Sequence, residues 1–212
     1  MIHPGRLEEL DYHWKRFFRD DRDPETWTNR NDRLILNTYY AEANLDFNMF
    51  DGSVILDIGG GPSSGLYHEP FNNAVLRVII DPLAWDFQQM IRNDYVHYQN
   101  RKDVIEIAGV AEAIPFADES FDYVVNFNSL DHWDDWKKGT REIRRVMRIG
   151  ASMFFFVNWG RPCPTPGHPV DFNEETLGWM LEQGFSLRYR NLAWRQRPAR
   201  KVQSPYTLME AI

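Results

Sequence analysis

Three side chains stand where they could do chemistry: Asp57, two residues ahead of Gly59-Gly60-Gly61; Asp81, twenty residues beyond Gly61; and His132. Glycines without side chains let a backbone turn approach a ligand closely, so Asp57 lies beside whatever charged group that turn receives. At roughly 6 Å and an effective dielectric of about 20, a unit charge pair is worth about 3 kcal/mol. That penalises a pyrophosphate and favours a cation. Asp81 falls where a doubly wound fold places the acid that accepts hydrogen bonds from both ribose hydroxyls. It is equally placed to cap a helix before Leu83-Ala84-Trp85, and the two roles are compatible. An imidazole exchanges protons near neutral pH, which makes His132 the candidate base; packing or capping at a helix start is the other role open to it. Asp131 either orients it or is the helix cap, and His168 and His68 rank behind it. No metal-ligand spacing appears among these histidines, so no metal is expected.

The elements that must hold these residues alternate. Val54, Ile55, Leu56 and Ile58 read as a buried strand stopped by the glycines, after which Ser63 or Ser64 caps a short helix ended by Pro70 and Asn72-Asn73. A second strand, 75–80, runs to Asp81, a helix spans 83–91, and a third strand spans 104–107. Residues 109–122 form a loop that feeds a fourth strand, 123–126. A helix over 134–148 presents Trp133, Trp136, Ile143 and Met147 on one face. Arg144, Arg145 and Arg148 lie in its last turn on a solvated face, complementing the dipole. A fifth strand at 153–157, a proline-rich loop at 160–169, a helix at 173–183 and strands opened by Gly184-Phe185 and at 206–211 follow. Ahead of all this, Leu7, Leu10, Trp14, Phe17 and Phe18 mark an amphipathic helix over 6–19. A second helix runs from about Glu25 towards Phe47, with Asp23 as its cap and Pro24 in its first turn. Strands alternating with helices imply an α/β, doubly wound, mainly parallel sheet.

The glycine register discriminates between nucleotides. In G-x-G-x-x-G, Gly59 and Gly61 fit but Ser64 takes the last position, with Gly65 one residue late. Asp57-Ile58-Gly59-Gly60-Gly61 instead resembles D-x-G-x-G, the first motif of class I S-adenosylmethionine-dependent methyltransferases. Gly109 to Asp122 is similar to the "G-D-A-E-x-L-P-F-x-D-x-S-F-D" run of their type 11 branch, and Arg145 to Ala151 resembles its "R-V-L-K-P-G-G" turn. The resemblance covers residues 53–157 well and extends loosely to the end. It implies a seven-stranded Rossmann-like sheet, S-adenosyl-L-methionine as cofactor and a small-molecule methyl acceptor.

Carried over position by position, the resemblance gives Gly59, Gly60 and Gly61, with Ser63 beside them, to the methionine and ribose portions. Asp57 faces the ammonium and Asp81 the ribose hydroxyls. Pro82 and Leu83 offer apolar surface to the adenine, and Ala111 and Glu112 close on its edge. Asn126 and Phe127 end the fourth strand under the methionine portion. Val110 replaces the family's usual acid, removing one hydrogen bond to the adenine amino group.

At 212 residues the chain suits an N-terminal helical extension, 1–50, able to act as a lid, and a cofactor-binding domain, 51–212. A net charge of −7 argues against a general nucleic-acid binder. Arg188, Arg190, Arg195, Arg197, Arg200 and Lys201 nevertheless form a run without an acid, either a solvated hairpin or a dock for an anionic acceptor. The single Cys163 allows no internal disulfide and suits a cytoplasmic protein. Neither a signal sequence nor a membrane-spanning run is legible. Two other readings remain at this stage: a non-catalytic cofactor-binding or partner protein of the same fold, and an NAD-dependent oxidoreductase, against which Asp57 and the glycine register both speak.

Overall fold

The computed structural model describes residues 4–17, 46–91, 103–157, 167–191, 194–197, 200–203 and 206–212. Helix α1 (Pro4–Phe17) precedes strand β1 (Val54–Ile58), β2 (Leu76–Asp81), α2 (Ala84–Ile91), β3 (Val104–Ala108) and β4 (Phe121–Phe127). Then come α3 (Trp136–Val146), β5 (Met147–Phe156), α4 (Glu174–Glu182), β6 (Phe185–Asn191), a small hairpin of β7 (Trp194–Arg197) and β8 (Arg200–Gln203), and β9 (Tyr206–Ala211). The main sheet has seven strands in the order β3-β2-β1-β4-β5-β9-β6. All pairs are parallel except those of β9, which runs antiparallel to both neighbours. The α/β seven-stranded expectation holds. The helix expected over 25–47 lies outside the described residues, as does most of the proline-rich loop at 160–169.

Strand order reverses between β1 and β4, and such a switch point opens a crevice at the carboxyl ends of the strands. The pleat sends alternate side chains to opposite faces. Leu56, Ile58, Val78, Ile80 and Val124 join Trp133, Ile143, Leu177 and Met180 in one core. Ile55, Ile79, Val125 and Phe154 join Phe50, Leu66, Tyr67 and Phe71 in the other. Burying side chains of this size contributes about 1.5–3 kcal/mol each, so both faces of the central strands are anchored. Asp57 shares its face with Ile55 and therefore points at the turns following β1.

Two local expectations are corrected. No α-helix follows the glycines: Gly61–Ser63 and Gly65–Tyr67 are successive 3-10 turns, and Ser64 caps the second through the Leu66 N–H at 3.1 Å. The helix after β4 is shorter than its apolar spacing implied. Asp135 caps it and Val146 ends it, because Met147 pairs with Phe121 and opens β5 six residues before the expected Met153. The register then skips from Met147 to Ser152, so the expected turn is a bulge inside a strand.

The three arginines are bound into the fold instead of lying on a solvated helix end. Arg144 donates to the carbonyls of Gly184 and Ile212. Arg148, in β5, pairs with Asp122. Arg145 grips both Glu142 oxygens at 2.9 and 2.8 Å, Asp118 at 2.8 Å, and the carbonyls of Ile114 and Phe116 at 2.9 and 2.7 Å. Glu142 also accepts the Ile114 N–H at 3.0 Å, so this cluster clamps the loop carrying Ala111 and Glu112 against α3.

Candidate active site

A cavity of about 250 Å³ opens where β1, β2 and β4 end. Asp57 lines it from the penultimate position of β1 and is 2% exposed. Its Oδ2 accepts the Ser64 hydroxyl at 2.5 Å, while Oδ1 is buried with no hydrogen-bond partner. Burial pushes the carboxyl up to about 7, against the pull of Ser64 and with the help of the Asp81 charge. A buried carboxyl oxygen without a partner is costly, and a cationic ligand in the cavity would satisfy it.

The glycine turn is shaped by its neighbours. Gly59 has φ +71°, and its N–H donates to the Ile80 carbonyl at 2.7 Å. A Cβ there would lie 2.3 Å from both Cβ and Oγ of Ser129. A Cβ on Gly60 would lie 2.8 Å from Asp57 Oδ2. Asp81 holds the far side: Oδ2 accepts the Gly61 N–H at 3.0 Å and Oδ1 the Leu83 N–H at 2.8 Å. Burial raises its carboxyl, and those two N–H groups partly offset the rise. Asp81 thus ties the glycine turn to the start of α2 while its residue surface lines the cavity.

Gly59, Gly60, Gly61, Pro82, Leu83, Ala111, Glu112, Phe127 and His132 all line the cavity. One expected contact differs. Asn126 has no exposed surface; its side-chain amide donates to the Ile58 carbonyl at 2.8 Å and to Ser129 Oγ at 2.5 Å, bracing the turn from behind. Ser63 supplies backbone to the first 3-10 turn, and it is the neighbouring Ser64 whose hydroxyl holds Asp57. Sequence reading expected Ser64 only as a cap and the N-terminal helices only as a lid, and it named neither Ser129 nor the individual α1 side chains. Glu9, Tyr12 and His13 line the cavity from that helix. The Glu9–His13 spacing of four, now a 2.9 Å contact, was the available signal, but it reads equally well as a surface helix pair.

On the opposite wall, the 3-10 turn Leu130–His132 follows β4. His132 Nε2 lies 3.9 Å from Asp131 Oδ1, and Nδ1 lies 4.0 Å from Glu9 Oε2. Asp131 is 1% exposed, and its closer imidazole is His168, whose Nδ1 is 3.0 Å from Oδ2. The His132 and His168 rings sit 4.1 Å apart between centroids. Burial pushes His132 below the ordinary imidazole range despite the Asp131 and Glu9 charges, leaving a free lone pair at neutral pH.

A sheet of this order, with a glycine turn and an acid on adjoining strand ends and a cavity between them, defines a nucleoside-binding protein of the class I methyltransferase fold. Residues 56–155 match the type 11 family model described as a methyltransferase domain. Demethylmenaquinone methyltransferase of Thermobifida fusca is 30% identical over 138 residues, covering 64% of this chain and 53% of the relative. The enzyme of that name from Renibacterium salmoninarum is 35% identical over 102 residues, covering 48% and 40%. The chain therefore spans about half the length of these curated relatives. Among solved structures, the [4+2]-cyclase SpnF superposes with a TM-score of 0.67 at 15% identity, covering 98% of this chain and 95% of its own. That likeness concerns the fold. No described helix is long and apolar enough to cross a membrane.

The residues present fit the family's cofactor, S-adenosylmethionine. Asp57 lines the cavity and keeps one carboxyl oxygen without a hydrogen-bond partner, the glycines leave room that side chains would fill, and Asp81 lines the same cavity from the end of β2.

Proposed function

We propose that this chain is an S-adenosylmethionine-dependent methyltransferase acting on a small molecule. The observation that carries the reading is Asp57: a buried carboxyl oxygen without a hydrogen-bond partner beside a glycine turn. The names of the two demethylmenaquinone methyltransferases support a small-molecule acceptor. When bound, the cofactor supplies an electrophilic methyl group on a good leaving group, so the protein mainly orients the acceptor and, for a hydroxyl, removes a proton. In this reading Asp57 holds the ammonium and Asp81 the ribose. Pro82, Leu83, Ala111 and Glu112 surround the adenine, Phe127 lies under the methionine portion, and His132 faces the acceptor. Residues 1–50 form an extension whose α1 closes the acceptor side, and residues 51–212 form the catalytic domain. The lone Cys163 supports a cytoplasmic location.

Calorimetry tests the cofactor assignment. S-adenosylhomocysteine is expected to bind at micromolar concentration and NAD not at all; tighter NAD binding would reverse the assignment. Asp81→Ala should weaken S-adenosylhomocysteine by about 2 kcal/mol or more while changing little for a 2′,3′-dideoxy analogue. Equal losses for both ligands would reduce Asp81 to the turn-to-helix tie described above.

Asp57 gives the binding a pH signature. Its folded value of about 7 lies above the ordinary 3.8, so between those values the resting fold keeps a proton that the unfolded chain has lost. Its contribution to stability is accordingly greatest at low pH and falls as pH rises towards 7. A bound ammonium favours the ionised carboxylate, so binding below pH 7 must expel that proton. Affinity is expected to fall by up to about tenfold per pH unit below 7. Titrations in buffers of different ionisation enthalpy read the released proton directly. Asp81 is raised in the same direction, which makes Asp57→Asn the necessary control. That variant should bind about 1–3 kcal/mol more weakly above pH 7 and release no proton at this site. A wild-type affinity that is flat from about pH 5.5 to 7.5 would remove the ammonium from Asp57.

A further inference from the structure

We propose that Asp131, His132 and His168 form a binding site for a first-row divalent transition-metal cation, of which Zn²⁺ is the natural probe, on the acceptor side of the cavity. The three residues come from two segments that the sequence separates by more than thirty positions. They are fastened together where the Val170 N–H donates to the Asp131 carbonyl at 3.3 Å. One donor atom from each lies within 4.8 Å of the other two. Asp131 Oδ2 lies 3.0 Å from His168 Nδ1, and Oδ1 lies 3.9 Å from His132 Nε2, so each imidazole faces its own oxygen of the one buried carboxylate. Metal–ligand bonds of about 2.0–2.2 Å in a tetrahedral site put neighbouring donors about 3.3–3.6 Å apart, a spacing that both pairs approach.

The surroundings agree with that assignment. His132 faces Asp131 with Nε2 at 3.9 Å and Glu9 with Nδ1 at 4.0 Å, so a second carboxylate stands next to the proposed ligand. Two nitrogens and one carboxylate oxygen suit Zn²⁺, Fe²⁺ or Mn²⁺ and are poor for Ca²⁺ or Mg²⁺. His132 and Gly167 line the cavity, so a cation held by three protein groups keeps positions open to the acceptor, as catalytic sites do. There it would polarise an acceptor hydroxyl, whose O–H bond then breaks more readily with its proton passing to water and no change of redox state. This purpose rests on the methyl-transfer reading; the binding does not. With a cation in place His132 acts as its ligand, and the cation takes over the acidification of the hydroxyl.

The test is a calorimetric titration of the metal-stripped full chain with Zn²⁺, followed by the same titration on Asp131→Asn and His168→Gln. One equivalent at micromolar affinity or tighter is expected for the wild type, weakened about tenfold or more in each variant. Since Asp131 is buried, His168→Gln, at a quarter-exposed side chain, guards against a folding defect, with unchanged thermal melting as the check. Co²⁺ should give visible ligand-field absorption in the wild type that His168→Gln loses. Absence of saturable Zn²⁺ binding, or equal binding by the wild type and both variants, overturns the site. S-adenosylhomocysteine titrated into the same samples reports separately on the cofactor reading, so either can fail alone.

Discussion

Gly59→Ala is expected to cost the protein on the order of 3 kcal/mol in stability and more than about a hundredfold in cofactor affinity, from backbone strain and overpacking together. Two physical effects add. At φ +71° an alanine is strained by its own backbone. Its Cβ would also stand 2.3 Å from Ser129, which cannot retreat freely because its hydroxyl donates to the Ile58 carbonyl at 2.8 Å and accepts from Asn126. The chain must therefore move the turn that Asp57 and Asp81 depend on. Gly61→Ala separates the effects: its φ is +60° but nothing lies within 4 Å of the added Cβ, so strain alone remains and the stability loss should be about 1–2 kcal/mol. Thermal melting and S-adenosylhomocysteine affinity of the two variants make the comparison. Equal losses would show that the Ser129 contact does not constrain the turn.

His132→Ala is expected to lower turnover by about 10²–10⁴ when the acceptor is a hydroxyl. The loss follows whether the imidazole takes the proton itself or holds the cation that acidifies the hydroxyl, and the Zn²⁺ titration tells these apart. Cofactor affinity should barely change, because His132 stands on the wall shared with Asp131, His168 and Glu9, whereas the charged cofactor contacts proposed here, Asp57 and Asp81, lie at the ends of β1 and β2. For an amine or a stabilised carbanion, which need no strong base, the loss should be much smaller. Turnover beside S-adenosylhomocysteine affinity, on protein whose melting is unchanged, decides the matter. Intact turnover with a hydroxyl acceptor would remove His132 from the chemistry, and a collapsed melting transition would assign it to packing.

Much of the cofactor half was legible along the chain, because it is made of short-range features. A strand, its stopping glycines and an acid two residues upstream are contiguous, and Asp81 follows at a spacing set by one crossover. Periodicity placed α1, β1 to β4, α4 and β6 with small errors at their ends, since apolar alternation depends on which face each residue buries. Where it failed, pairing had overridden local pattern. Met147 continues the apolar stripe of α3, yet its backbone is claimed by Phe121, so the strand begins there. The arginines near it look like helix-end charge in sequence and become clamps only when the 114–118 loop, Asp122 and the chain end are folded against them.

The acceptor half was decided by tertiary structure. Glu9, Asp131, His132 and His168 carry no shared spacing, and each reads alone as a cap, a packing group or a surface pair. They converge because the switch between β1 and β4 leaves an open crevice, and α1, the post-β4 turn and the segment before α4 all border it. Asn126 shows the same logic in reverse: its place at the end of β4 marks it as a contact residue, while the pleat turns its amide towards Ile58 and Ser129. Local sequence determined the strand, the turn and the charge awaiting a cation. The packing of distant segments around one sheet edge determined what stands opposite, because a side chain's direction depends on register and pleat, and a cluster's distances depend on which loops the core draws together.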